Sequence, residues 1–494
     1  MLHPRFATLL LVAALSAPLA PTPMANRAAA AAPPPDARTA AVEAAIQPAL
    51  VIAGVESKTP ALAQRMDELG VPAVSVVVIE DGRIAWTHAW GVADLESGRR
   101  ATPNTLFQAA SISKPVAAMV ALAHVDAGTL SLDDDVQTAL RAWTLPAAPS
   151  ADWPAPTLRQ LLSHSAGLNV HGFPGFGPSA DVPSAAGILR GEGNTEAVRL
   201  MAKPGSQFSY SGGGYTVMQQ MIEDATGLDF ADAASTTVLE PLGMSASRFA
   251  QPLPADVRAS AATGYWDVDR PVDGGAHTYP QLAAAGLWTT PSDLARWLVS
   301  VVNARRGGEH PVLASATLNA MLQPGLDGWG LGLETSDDGT RISHGGANEG
   351  FRCWMTLSLA TGNGLVVMTN SDGGGRLARE VALTVDRVHG WDMLSPTVRT
   401  VATVPMETLD ALAGEYRAEG WGSATITRRG RELYAVPTWD EPTRLLPESA
   451  TQFFLPDSGM TVRFIRENDV PDGRVLAAVF GSWRFDRVPD RVEP

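Results

Sequence analysis

Hydrophobic positions change period several times along the chain. From Val71 to Gly91 ("VPAVSVVVIEDGRIAWTHAWG") two apolar runs flank Asp81-Gly82, a dipeptide suited to a tight hairpin, which predicts two antiparallel strands. From Ser111 to about Ala127 the apolar spacing becomes helical and closes at Gly128. Thr157–Leu168 predicts a second helix with a glycine stop. Asn194–Gly227 predicts a helix, a Pro/Gly loop, a Tyr/Gly loop and another helix. Alternation returns between Arg341 and Ser371, predicting antiparallel strands paired around Thr361–Gly364. Past Pro396–Pro405 the chain turns to short apolar runs at hairpin spacing, with no helix after about Ala413, which predicts a small all-β domain.

A length of 494 residues exceeds one ordinary core, so two folded domains and a tail are expected. Hydrophobic residues at 45% and charged residues at 18% describe a globular chain. The net charge of −15 disfavours nucleic acid and anionic membrane surfaces as partners. His3 and Arg5 precede an apolar run from Phe6 to Leu19, and small residues follow, with cleavage expected after Ala20 or within Ala28–Ala32. That run, about 14 residues, is short against the ~20 needed for a span. The expectation is a cleaved signal peptide and a periplasmic or secreted protein, without a transmembrane helix in the mature chain. Cys353, the single cysteine, excludes an intrachain disulfide and reads as a buried strand residue.

The chemistry starts from a scarcity. Only three of the 37 basic residues are lysines: Lys58, Lys114 and Lys203. Arginine does not give up its proton at usable pH, whereas a buried lysine does. Lys114 lies three residues after Ser111, and positions i and i+3 share a helix face, so the amine falls beside the hydroxyl. A serine that attacks a carbonyl needs such a base. Ser111 would sit at a helix N-terminus, where developing negative charge is favoured.

Two later stretches complete a pattern. Ser111-Ile-Ser-Lys114, Tyr210-Ser-Gly212 and His344-Gly-Gly346 follow the order of the three motifs of serine β-lactamases and penicillin-binding proteins. With "TLRQLLSHSAGL", "AAAGLWTTPSDLARW" and "SHGGANEGF", the chain resembles the branch that holds class C β-lactamases, D-amino-peptide hydrolases and β-lactamase-fold esterases, over about Ala49 to Arg387. The resemblance implies an α/β fold, an antiparallel sheet flanked by helices plus a helical subdomain, followed by a lipocalin-like β domain. The expected organisation is signal peptide and leader 1–32, flexible linker 33–48, serine hydrolase domain 49–395, linker 396–405 and β-barrel-like domain 406–494.

The resemblance further implies roles. Ser111 is the nucleophile, Lys114 the base or proton relay, and Tyr210 a second base and the acid for the leaving group. The backbone N–H groups of Ser111 and Ala347 hold the oxyanion, and His344 positions substrate and tunes the field. Gly345 and Gly346 let the strand backbone approach the substrate. The family's second motif commonly ends in an asparagine that holds the lysine and the substrate's amide carbonyl; here it is Gly212, which favours esters or D-amino-acid peptides over β-lactams. Asn348 and Gln108 are the candidates to fill that gap. The expected activity is acyl-enzyme hydrolysis of a small-molecule or peptide substrate, with no cofactor and no metal. The alternative is a slowly acylating or non-hydrolytic sensor that binds penicillin or peptidoglycan fragments. His88, His124 and His171 lack partners at metal-ligand spacing, and His164 reads as a hydrogen-bonded structural histidine.

Overall fold

A computed structural model describes residues 37–489, apart from 419–421, 438–441, 457, 471–472 and 482. The expected signal peptide and leader lie outside the described residues.

Seven antiparallel strands form the central sheet: β1 (Ala73–Glu80), β2 (Arg83–Asp94), β3 (Arg99–Arg100), β4 (Glu334–Thr335), β5 (Arg341–Asn348), β6 (Phe351–Ser358) and β7 (Gly364–Thr369). Their order is β3-β2-β1-β7-β6-β5-β4. The β1–β2 turn falls on Asp81-Gly82, both with positive φ, 49° and 70°, as the tightest hairpins require. β1 is apolar on both faces because both are covered. Val77 and Ile79 join one core, with Leu294 and Leu298; Val74, Val76 and Val78 join a second, with Leu377, Val381 and Val385.

Five helices matter for the site and its support: α1 (Ala37–Ala44), α2 (Ser113–Asp126), α3 (Gly212–Thr226), α4 (Pro291–Arg305) and α5 (Gly374–His389). α4 covers one face of the sheet and α5 the other. α2 is buried continuously from Ser113 to Leu122, so its apolar residues surround the whole helix rather than forming one stripe. α3 starts on Ser211, whose side chain accepts the Gly214 N–H, and stops at Gly227 with φ 72°.

Four expectations are corrected or refined. The flexible linker 33–48 is ordered from residue 37: α1 packs on α5 and buries Val42, and Ile46 is buried just after it. In the linker 396–405, Thr397–Arg399 pairs in parallel with Leu50–Ile52, strapping the linker to the hydrolase domain. The helix expected after Asn194 is absent. Asn169 and Arg199 exchange backbone and side-chain hydrogen bonds there, and Leu168 bridges to Leu200, so long-range pairing keeps the segment extended. The helix predicted over Thr157–Leu168 is a single turn, Leu158–Leu162, ended before His164 (φ 54°).

The C-terminal unit is a closed antiparallel barrel of eight strands, from Gly414–Ala418 to Trp483–Arg487. Closure leaves no exposed sheet edge. The helix Met406–Leu412 plugs it with Leu409 and Leu412, and the Tyr416 hydroxyl donates to the Leu412 carbonyl at 2.7 Å. No helix among the described residues is long and apolar enough to cross a membrane.

Candidate active site

Ser111 lies in a 3-10 turn, Ala110–Ile112, that leads into α2. Ala110 before it is held at φ 49°, a conformation a side chain adopts at a cost of about 1 kcal/mol or more. The surroundings enforce it. The Cys353 thiol donates to the Ala109 carbonyl at 2.9 Å, and β5 presses on the turn so closely that a Cβ at position 346 would run into that same carbonyl oxygen. Gly346 is therefore glycine to let the strand reach the turn that carries Ser111. Gly345 meets only ordinary contacts.

Lys114 occupies the first turn of α2, one helical step from Ser111. Its Nζ donates to Ser111 Oγ at 3.1 Å and to the Ala284 carbonyl at 2.9 Å. The side chain is 2% exposed, and burial pushes its pKa from 10.5 down to about 7. Tyr210 is within hydrogen-bonding reach of Ser111 on the other side, its ring 4.9 Å from Lys114 Nζ, and burial raises its hydroxyl above the usual phenol value. The two groups flanking Ser111 are thus driven in opposite senses: at neutral pH the amine can take a proton and the phenol can give one. Ser111 remains half-buried rather than sealed off.

Tyr210 is fixed by His164. The His164 ring stacks on it with centroids 4.1 Å apart, His164 Nδ1 accepts the Ser211 N–H at 3.1 Å, and the His164 carbonyl accepts the Ser209 N–H at 2.7 Å. Burial holds His164 well below the usual imidazole value, so the ring is neutral and Nδ1 stays an acceptor. The sequence reading of a hydrogen-bonded histidine holds, but it missed the partner. No local signal in the sequence marks that pairing, since the two residues lie some forty-five positions apart.

His344 sits on β5, buried, with Trp329 edge-on at 5.4 Å. Its Nδ1 donates to the Gly345 carbonyl at 2.6 Å, and Nε2 finds no partner among the described residues. Burial, then the nearby Lys114, push it down to about 3, so it brings no positive charge. Beyond Ser343 the outer edge of β5 has no strand partner among the described residues, because β4 pairs only with Ile342 and Ser343, and Ala347 lies exposed on that edge.

Neither candidate for the missing amide fills it. Asn348 Nδ2 donates to Gln108 Oε1 at 2.7 Å and to the Ala285 carbonyl at 3.1 Å, while Gln108 Nε2 donates to the His277 carbonyl at 2.8 Å. The Ala284 carbonyl holds the lysine instead. Next to Gly212, the side-chain space is taken: a Cβ there would lie 2.8 Å from Phe173 Cε2.

A family model described as Beta-lactamase covers residues 60–388. The chain is 27% identical over 342 residues to a D-aminopeptidase of Brucella anthropi, a stretch that makes up 67% of this chain and 62% of that protein. It is 30% identical over 304 residues to Esterase EstB of Burkholderia gladioli, covering 54% of this chain and 76% of that protein. Among solved structures, the octameric penicillin-binding protein homologue from Pyrococcus abyssi shares the fold with a TM-score of 0.59 at 22% identity, over 86% of this chain and 98% of that one. SurE solved with D-Leu does so with a TM-score of 0.58 at 24% identity, over 86% and 97%. Since the family model takes in all three motifs and both faces of the sheet that carries them, the chain belongs to the beta-lactamase family.

Proposed function

We propose that the protein is a serine hydrolase that works through an acyl-enzyme on Ser111, with short-chain esters and D-amino-acid peptides as its substrates ahead of β-lactams. The observation that carries this is the placement of one hydroxyl within reach of a buried amine and a half-buried phenol. Ser111 Oγ attacks the carbonyl carbon as its proton passes to the neutral Lys114 amine. The oxyanion forms against the backbone N–H groups of Ser111 and Ala347, the first at the unpaired start of a helical run and the second on the open edge of β5. Tyr210 gives its proton to the leaving alkoxide or amine as the bond breaks, and the proton held by Lys114 restores the phenol. Water then releases the acyl group by the reverse sequence. Close titrating groups share their ionisations, so the proton belongs to the Lys114–Tyr210 pair rather than to one atom. The relatives named D-aminopeptidase and esterase support the substrate choice, as does the absence of a side-chain amide at Gly212.

Ser111→Ala tests the proposal. It should abolish turnover of p-nitrophenyl esters and D-amino-acid amides and all covalent labelling by a fluorophosphonate; full activity in that variant would end the assignment. A second reading, a slowly acylating sensor of penicillin or peptidoglycan fragments, is favoured by Phe173 standing beside Gly212. Intact-mass measurement separates the two: a long-lived adduct without turnover supports the sensor, rapid loss the hydrolase. We also propose export, supported by the Phe6–Leu19 run. Mass mapping of the mature N-terminus checks it.

A further inference from the structure

A ribbon of rings runs along the site and crosses from the hydrolase domain to the barrel. Phe208 stacks on Trp329 with centroids 5.5 Å apart, and Trp329 meets Tyr210 edge-on at 5.5 Å. Tyr210 meets His171 at 4.9 Å, and His171 meets Trp483, on the last barrel strand, at 6.2 Å. Trp288 and Trp297 are fully buried, as core rings are, whereas Trp329, Phe173 and Trp483 are half-buried and His171 is exposed. A partly covered ring beside a nucleophile gains when an apolar group covers the rest of it. Gly212 sharpens this. The position at which the family resemblance expects a group for the substrate's amide carbonyl is faced here by the Phe173 ring.

We propose that Phe173, His171 and Trp483 form an acyl-chain subsite, built across the two domains, that takes an unbranched alkyl or aromatic acyl group. The barrel is then part of the substrate site rather than an appendage. This rests on the acyl-enzyme reading above and adds the substrate class to it. Covering of the acyl chain should enter the rate of acylation at about fourfold for each methylene that leaves water.

The test is the rate of Ser111 labelling in the full chain by two fluorophosphonates, one with an ethyl and one with a hexyl chain, followed by intact mass. The wild type should react with the hexyl probe at least about tenfold faster. Trp483→Ala should lower that ratio about fivefold or more, and Trp483→Phe, which keeps a ring, should retain most of it. A wild-type ratio near one, or a ratio unchanged in Trp483→Ala, overturns the subsite and leaves the hydrolase standing. Absence of labelling in the wild type by either probe would instead remove the hydrolase reading, and the subsite with it. Because the readout is a ratio, a variant in which both rates fall together also counts against the subsite.

Discussion

Replacing Lys114 with methionine should abolish activity and stabilise the protein near neutral pH. Methionine has similar length and no charge, and its site is almost closed to solvent. The lysine binds protons less readily folded, at about 7, than its ordinary 10.5. Between those values the unfolded chain holds more protons than the folded one, so the contribution of this group to stability rises with pH across that window. At pH 7 the penalty is about 4 kcal/mol, from ~3.5 pH units at ~1.4 kcal/mol each, less the small gain from half-protonation. Its two hydrogen bonds, to Ser111 Oγ and the Ala284 carbonyl, return ~1 kcal/mol each. The methionine variant should therefore be more stable by ~2 kcal/mol at pH 7. By pH 10 the penalty has shrunk to ~1 kcal/mol, the hydrogen bonds prevail, and the order reverses. Urea unfolding at pH 7 and pH 10, followed by tryptophan fluorescence, measures both differences. The change between the two pH values, ~3 kcal/mol, depends only on the lysine's proton affinity and not on the value chosen for a hydrogen bond. A difference that is the same at both pH values would refute a buried amine of low proton affinity, and with it the choice of base.

The same titration should appear in the rate: kcat/KM is expected to rise with pH through an apparent pKa near 7 and to fall about tenfold per unit below it, as the neutral amine is lost, and a flat profile from pH 5 to 9 would contradict it. His164→Phe keeps a stacking ring but loses the acceptor for the Ser211 N–H, so kcat should fall about tenfold or more while KM changes little. A loss confined to thermal stability, with kcat intact, would make His164 structural only. Gly212→Asn should cost about 1–3 kcal/mol in thermal or urea unfolding because its Cβ collides with Phe173, and Phe173→Ala should rescue it in a double-mutant cycle; additivity of the two would show that the ring does not set the identity of residue 212.

What could be read in the chain is what short-range chemistry dictates. The β1–β2 hairpin was legible because Asp81 and Gly82 both need positive φ, and the chain puts an Asp-Gly pair there. α2 was legible because an alanine-rich apolar run, too long for a strand, opens after Ser111 and closes at Gly128, although that run surrounds the helix rather than marking one face. The segment after Asn194 was not: its local propensity is helical, and only a partner some thirty residues away, Asn169, makes the extended form win. α1 was hidden in an Ala/Pro-rich composition that reads as a leader, although Val42 and Ile46 stand four apart, the spacing of one helix face.

The site divides along the same line. Ser111 and Lys114 lie within one helical turn, so their meeting is fixed by local geometry. Tyr210 is brought to them through His164, whose contacts at residues 209–211 span some forty-five positions, and nothing in the spacing of the sequence encodes that stack. The electrostatics are less local still. A lysine becomes a base here because α2 is buried on all sides and a backbone carbonyl, from Ala284, is its second partner. A backbone carbonyl is present at every residue, so no motif can mark it. Reading the motif alone, one expects Gly212 to leave a hole that a nearby amide must fill. The chain instead divides the job between a main-chain acceptor for the lysine and an aromatic ring, Phe173, for the space. The first keeps the nucleophile's base in place, and the second changes what the site is shaped to hold. On the proposed function, Gly212 in place of the amide changes specificity and spares the machinery, a distinction that holds only while Lys114 still reaches Ser111 without it.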